Sequence, residues 1–581
     1  MTSPAGAPRA TDPTVTSAHA PAGAPVATPG VGPAAEAQDP VAEISLLVDT
    51  GSAWTKASVV GRARGRWRLV VHAAQPVEWG EEALATELAS RLAVGADPRV
   101  RDRLAEIVTS APRISCETPR RTGRIAVSAS GESAARRARR IAEAAGWIVV
   151  AAVVVDDDRS AGQRVAALRG QDIDAWLLAA DDGEVPVDLA LEQAGLVAAA
   201  RSERGGPVVW LGPSRLAAAI APLFEEGALL TVPEHDPEDR VAAAGPHPLA
   251  ALLERLAGRG GTAHAPVAFR RAIAELARQS RLVIGAVDLG ARTATWVRAD
   301  GTHDPPMVES VLHSTGGLLS PTLGVSGAPG RLARILPISM DELAVADALQ
   351  NLRARPGSLP VGTGELEVTR AAARSLLAEL ADGQRVSGLD LLIGSGRTIA
   401  AGPTPAHAVE LLLEGIRPGG VTQLAVDPTA SLAPLGSLGD DEIAEGVGSL
   451  RDDLLVPLGT AVVSTGGRPG HVAFRARLRR AGWPDADPVD VRTGQVTVLP
   501  LPRAERADLE IEADDGIGFG SARPSRRLHA EVLGGAVGLV LDARGTPIGL
   551  PRRADDRREV LAEWHDQLLR EAVSDAASGP A

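Results

Sequence analysis

The sequence contains no tyrosine, four phenylalanines and three methionines in 581 residues. A core with so little aromatic bulk must be packed from Ala, Val and Leu, with nine tryptophans as its few large pieces. Cys116 is the one cysteine, which excludes a disulfide framework and any cysteine-based zinc or iron–sulfur site. Lysine is equally scarce: Lys56 is the only one, and every other cation among the 60 is an arginine. A net charge of −13 argues against a general nucleic-acid binder, which needs clustered cations against phosphate. No nucleic-acid partner is therefore expected. Long apolar runs are missing as well. The longest, Trp147 to Val155, is strand-sized, well short of the ~18–20 residues of a membrane span. The N-terminus lacks a charged segment leading into an apolar one, so no secretory signal is expected. These absences predict a cytoplasmic protein with no membrane partner.

What is present alternates. Residues 1–41 are Ala, Pro, Gly, Ser and Thr with few bulky apolar groups, a composition expected to stay disordered. Order begins at Ile44, where ISLLVDTGSAWTKASVV reads as strand, turn, strand. The middle alternates apolar strands (RTGRIAVSAS, WIVVAAVVV, DAWLLAA, GPVVWLG) with Ala-rich helices, which predicts an α/β fold with helices on the faces of a parallel or mixed sheet. A second start, RLVIGAVDLGARTATWVRADG, follows at Arg281, and helices dominate from about Ser339 to Ala381. The expected organisation is a first lobe over 42–280, a second over 281–482 and a small β-rich unit over 483–581. In that last unit GGAVGLVLDARGTPIGLP reads as a hairpin and DRREVLAEWHDQLLREAV as a closing helix.

Two hairpins carry the chemistry. VDTGSAWTKASVV from Val48 and VDLGARTATWVRA from Val287 both place Val, Asp, any residue and Gly at the end of an apolar strand. Glycines at Gly51 and Gly290 let a turn backbone approach a phosphate, and successive turn N–H groups form an anion-binding concavity. Carboxylates at the two strand ends, Asp49 and Asp288, are suited to hold a hydrated Mg²⁺ on those phosphates. Lys56 emerges nearby as a point charge. The hydroxyls of Ser52, Thr55 and Thr293 are candidate donors to phosphate oxygen. A third element, LLIGSGRTIA, brings Gly394, Ser395 and Gly396 to the end of a strand, where backbone can meet a flat ligand such as adenosine. The third glycine of a dinucleotide fingerprint is missing, which disfavours a Rossmann site.

In this order the three elements look like the two-lobed actin-like (ribonuclease H-like) ATPase fold, shared with heat-shock chaperones and sugar kinases. More narrowly, the chain resembles the glutamate mutase L family. The carriers are DTGSAWTK, the DLG at Asp288, IGSGRTIA followed by GVTQLAVDPTASLAPLGSL, and the late GLVLDARGTPIGLP with DRREVLAEW. The resemblance implies an ATP- and Mg-dependent, chaperone-like factor that reactivates an adenosylcobalamin-dependent mutase. It assigns Asp49, Gly51, Ser52, Thr55 and Lys56 to a first phosphate loop. Asp288, Gly290 and Thr293 fall on a second, and Gly394, Ser395 and Gly396 on the adenosine segment. In the second loop Ala291, Arg292 and Thr295 stand where that family has Gly, Ala and an acidic residue. A Cβ at Ala291 restricts a backbone where positive φ is useful, and Arg292 is placed to hold a γ-phosphate without hydrolysing it. Those departures favour an alternative, a catalytically degenerate nucleotide-binding scaffold of the same fold. A small-molecule kinase is a third reading, with no segment marking its substrate-side base. The sequence leaves the oligomeric state open.

Other conspicuous residues have plainer readings. Cys116 reads as a small core residue, and the scattered histidines lack metal-ligand spacing. The arginines of SAARRARR read as a solvated helix face, Asp156 to Asp158 as a solvated strand end. Trp54 reads as a packing residue.

Overall fold

A computed structural model of the chain describes residues 44–94, 106–118, 123–169, 172–180, 185–201, 205–232, 248–257, 262–313, 316–480, 482, 487–520 and 526–576. The Ala- and Pro-rich stretch 1–41 lies outside them. Strands are numbered along the chain. The first lobe opens with an antiparallel meander of β1 (Ile44–Thr50), β2 (Trp54–Ala63) and β3 (Arg66–Pro76). β4 (Arg113–Glu117) then pairs in parallel with β1. The chain next builds an all-parallel sheet from β5 (Arg124–Ala129), β6 (Ile148–Val154), β7 (Ala175–Ala179), β8 (Val208–Leu211) and β9 (Leu229–Thr231), in the order β6-β5-β7-β8-β9. It returns to the first sheet as β10 (Ala263–His264), beside β4. The first sheet therefore runs β3-β2-β1-β4-β10.

The second lobe repeats that order. β11 (Val283–Leu289), β12 (Ala294–Asp300) and β13 (Met307–His313) form another antiparallel meander. β14 (Leu391–Ser395) pairs in parallel with β11, and β15 (Gly420–Val426) in parallel with β14. The order β13-β12-β11-β14-β15 is the counterpart of β3-β2-β1-β4-β10. This duplication is the two-lobed α/β arrangement expected for the actin-like fold that the sequence resembles. Both first strands are buried on two faces, which is why each reads as a near-continuous apolar run.

The described residues of the expected unit 483–581 do not close on themselves. β16 (Val456–Val463), β19 (Val496–Leu499) and β22 (Gly538–Asp542) extend the second-lobe sheet to eight strands. β17 (Val472–Arg479), β18 (Val489–Arg492), β20 (Arg506–Ala513) and β21 (Arg527–Leu533) make a separate four-stranded antiparallel sheet. The hairpin expected over GGAVGLVLDARGTPIGLP does not form; β22 lies between β16 and β19. The chain after it is held by charge instead. Arg417 donates to Asp542 Oδ2 at 2.5 Å and to the Gly545 carbonyl, and Arg544 Nη2 donates to Asp542 Oδ2 at 2.8 Å. Arg544 also donates to Glu414 at 2.6 Å, and all these side chains are buried. The Arg544 and Arg417 guanidiniums outweigh the burial penalty and hold the Asp542 carboxyl well below the usual range.

The two lobes share one aliphatic core. Leu47 and Val60 of the first sheet pack with Ile284, Ala286 and Val297 of the second around the helix Ala265–Ser280. Polar ties reinforce the seam. Ser58 Oγ and Ser431 Oγ are 2.7 Å apart and buried, and Arg68 Nε donates to Asp453 Oδ2 at 2.8 Å. The scarcity of aromatics shows: among the largest fully buried side chains the aromatic ones are Trp210, Trp296, Phe269 and Phe474, and the others are Leu and Ile.

Candidate functional site

Each hairpin turn is built by a strand that runs out of apolar residues at an aspartate. In the first, Gly51 N–H donates to the Trp54 carbonyl at 2.9 Å, and Asp49 faces Lys56 across the β1–β2 ladder. A Cβ at Gly51 would sit 2.8 Å from that carbonyl, so crowding alone demands glycine there. In the second, Gly290 N–H donates to the Thr293 carbonyl at 2.9 Å, and Asp288 faces Thr295. Lys56 and Thr295 thus hold equivalent positions. Ala291 is not in the left-handed region, so its Cβ does not impose the backbone strain expected from the sequence.

Both turns open onto one cavity with about 1040 Å³ of open space. Asp49, Gly51, Ser52 and Lys56 line it from the first lobe, and Asp288, Gly290 and Thr293 from the second. Thr55, Gly394 and Ser395 do not line it. Thr55 is buried on β2. Gly394 and Ser395 are buried on β14 beside β11, and a Cβ at Gly394 would meet Ile399 in the core. Gly396 touches the site differently. Its φ is +84°, and a Cβ there would lie 2.7 Å from Asp288 Oδ1 and 2.5 Å from the Leu289 carbonyl. Only glycine lets the third element close onto the second acid.

The electrostatics of the two acids differ. Lys56 Nζ donates to Asp49 Oδ2 at 2.6 Å; Asp49 is buried and Lys56 largely so. Burial by itself pushes the Lys56 ammonium down, but Asp49 and Asp288 outweigh it and hold its pKa above the ordinary value. Asp288 has no hydrogen-bonded cation. Protein closes around its half-buried carboxyl, and this desolvation pushes it up to about 6 against the pull of Lys56, with Asp49 and Asp427 adding to the rise. Cys116 is a buried core residue whose Sγ lies 3.8 Å from Asp49 Oδ1, and burial pushes its thiol well up. It is no nucleophile in that form.

Sequence reasoning missed the arginines of this cavity. Arg292, expected near phosphate, is exposed and lies outside the cavity lining. Arg397 lines it instead, with its guanidinium 3.6 Å from the centroid of the Trp54 ring. The Arg397 Nε is buried without a hydrogen-bond partner, and burial depresses its pKa. No local signal separates the two: Arg397 follows Gly396 much as Arg292 follows the Gly290 turn. Trp54 is accordingly a cavity wall that spans the two lobes. Arg370 and His407 also line the cavity. Arg370 Nη1 donates to Glu367 at 2.6 Å, Arg370 also pairs with Glu410, and His565 Nδ1 of the C-terminal helix Ala554–Ala576 lies 3.1 Å from Glu410. The C-terminal helix is thereby tied to the cavity wall. Asp427, buried on the loop after β15, accepts from Thr429 N, Thr429 Oγ1 and Leu432 N, and shapes that loop.

The other conspicuous residues fall elsewhere. Asp157, at the end of β6, accepts from Arg159 Nε at 2.7 Å and Arg164 Nε at 2.9 Å. Among the described residues no group of three or more His, Cys, Asp or Glu is placed to hold a metal, and no helix is long and apolar enough to cross a membrane.

No protein-family model and no curated protein matches the chain. Solved structures similar to it include the nucleotide-free acetone carboxylase of ATP-dependent acetone carboxylation, at 10% identity over 78% of this chain and 81% of that one, TM-score 0.28. Component A of (R)-2-hydroxyglutaryl-CoA dehydratase from Acidaminococcus fermentans is similar at 9% identity over 70% of this chain and 98% of that one, TM-score 0.24. A PilM–PilN type IV pilus biogenesis complex is similar at 14% identity over 70% and 98%, TM-score 0.22. Likeness at this level assigns no activity to this chain.

Proposed function

We propose that the cleft binds ATP, with its polyphosphate between the two hairpin turns. The observation that carries this reading is that Asp49 and Asp288, one from each duplicated hairpin, line the same cavity. The hydroxyls of Ser52 and Thr293 supply donors around it, and the turn glycines Gly51 and Gly290 let the backbone come close. Two carboxylates without a third fit Mg²⁺, which keeps several waters and takes phosphate oxygens for the remainder. Asp49 and Asp288 would hold it through water, and its charge would offset that of the phosphates. Lys56, already hydrogen-bonded to Asp49, and Arg397 add positive charge. The Gly396 turn, closed on Asp288, and the apolar wall beyond Arg397 would seat the nucleoside.

We further propose that the chain acts as a chaperone-like accessory factor of the glutamate mutase L type, for an adenosylcobalamin-dependent mutase. That step rests on the sequence resemblance alone. In it, nucleotide state changes the angle between the lobes and the partner senses that change.

A second reading is favoured by Thr295. It stands where an acidic residue is expected in the family, and it is buried and outside the cavity lining. No carboxylate there is available to orient water, which supports a scaffold that binds ATP without hydrolysing it. Calorimetric titration of the chain with ATP and Mg²⁺ tests the first claim; no heat of binding, or unchanged affinity in Asp49→Ala and Asp288→Ala, refutes it. Phosphate release separates ATPase from scaffold. A pull-down from native extract with and without ATP, scored for a cobalamin enzyme, tests the partner.

A further inference from the structure

Adjoining the cleft is a second chamber, here called the rear chamber, with about 400 Å³ of open space. Lys56, Arg397 and Ala401 line both spaces and so stand between them. His72, on β3, is the other titratable group lining the rear chamber, and its remaining walls are Ala, Gly and Pro. No carboxylate lines it. Two desolvated cations, one of them paired with Asp49 on the cleft side, therefore border one small space that no carboxylate lines. Lys56 has its carboxylate partner, Asp49, on the cleft side only. Arg397 is held by the Trp54 ring, which fixes the guanidinium without cancelling its charge, and its buried Nε has no partner. The ring of His72, its Nδ1 3.2 Å from Ser58 Oγ, is kept neutral at pH 7 by burial and by Arg91 and Lys56. It adds no negative charge.

We propose that this rear chamber is a binding site for a tetrahedral oxyanion, orthophosphate, bridged between Lys56 and Arg397. Planar guanidinium and compact ammonium together present the donor set that phosphate takes. Ala74, Ala400 and Ala430 leave room beside them. Orthophosphate here and a triphosphate in the cleft would call on the same two cations, so each weakens the other. Only that competition rests on the nucleotide reading.

The test is calorimetric titration of the full chain with sodium orthophosphate, against sodium chloride at equal ionic strength. Specific binding is expected, and Ala74→Leu, which fills the chamber from a residue outside the cleft, should weaken it at least tenfold while ATP affinity stays unchanged. Ala400→Leu, at another residue lining only the rear space, is the second filling variant should Ala74→Leu not fold. Saturating orthophosphate should raise the apparent Kd for ATP in the native chain and not in the filled variant. Phosphate retained after gel filtration from ATP and Mg²⁺ alone would mark the nucleotide as its source; retention only from phosphate buffer would mark solution phosphate, and either outcome supports the site. Absence of binding beyond the chloride control, or full binding in the filled variants, overturns it. ATP binding without orthophosphate binding defeats the chamber alone; orthophosphate binding without ATP binding defeats the cleft reading and leaves the chamber.

Discussion

The two hairpins share strand order, turn closure and an aspartate at the same place, and differ in what stands across the ladder from that aspartate. Asp49 faces Lys56; Asp288 faces Thr295, a buried hydroxyl whose Oγ1 has no hydrogen-bond partner. One acid is neutralised within its own lobe. The other rests on desolvation and on the distant pull of the same lysine, and its pKa climbs to about 6. A duplicated backbone has thus been given one complete ion pair and one incomplete one. Duplication fixes where charges sit, and a single cross-strand residue fixes what they cost.

The comparison breaks most sharply at Lys56. Lys56→Ala leaves Asp49 buried beside Asp288 with no cation, and should lower stability by about 3–5 kcal/mol, read from the urea midpoint. Adding Asp49→Leu to that variant should recover most of the loss; no recovery would mean the lysine acts through packing. Asp288→Asn works in the opposite direction. Free of nucleotide, the folded chain keeps its Asp288 proton to about pH 6, whereas the unfolded chain releases it near 3.8. Raising the pH through that window therefore favours the unfolded state, and the contribution is flat above it. The variant should gain on the native chain between pH 4 and 6, by at most about 3 kcal/mol at ~1.4 kcal/mol per pH unit. A stability difference independent of pH would refute the assignment. Gly396→Ala places a Cβ against Asp288 at a left-handed position and should cost about 1–3 kcal/mol, with the Asp288 titration shifted as well. The smallest effect is expected for Trp54→Leu. It removes the ring under Arg397 and should cost about 1 kcal/mol by thermal denaturation, the scale of a partly desolvated cation–π contact. Equal loss in an Arg397→Ala background would show that the two do not interact.

Much of this was legible along the chain. The apolar run ending in Asp-X-Gly, met twice, gives both hairpins and the two-lobed order, because a strand buried on both faces has one reading. The alternation of strands and Ala-rich helices over 124–232 gives the parallel insert. The segment after Gly482 was read less well. Its short Val- and Leu-rich runs have period and length but mark no partner: β19 and β22 pair with each other, yet β22 also pairs with β16, so both join the second-lobe sheet rather than a separate C-terminal unit. At the site, the acids, the turn glycines and the lysine were legible from residue type. Arg292 and Arg397 were not separable, since both follow a glycine turn and only the path of the backbone sends one to solvent and the other to the cleft.

By itself the sequence determined that two acidic turns exist, that one carries the sole lysine, and that the strands before them are buried. Those are properties of residue type and short-range pattern. Only the tertiary structure decided that both acids share one cavity, that Gly396 closes on Asp288, that Arg397 lies on Trp54, and that Asp288 holds its proton to about pH 6. Contact across hundreds of residues and exclusion of water have no local signature; they arise when the lobes pack.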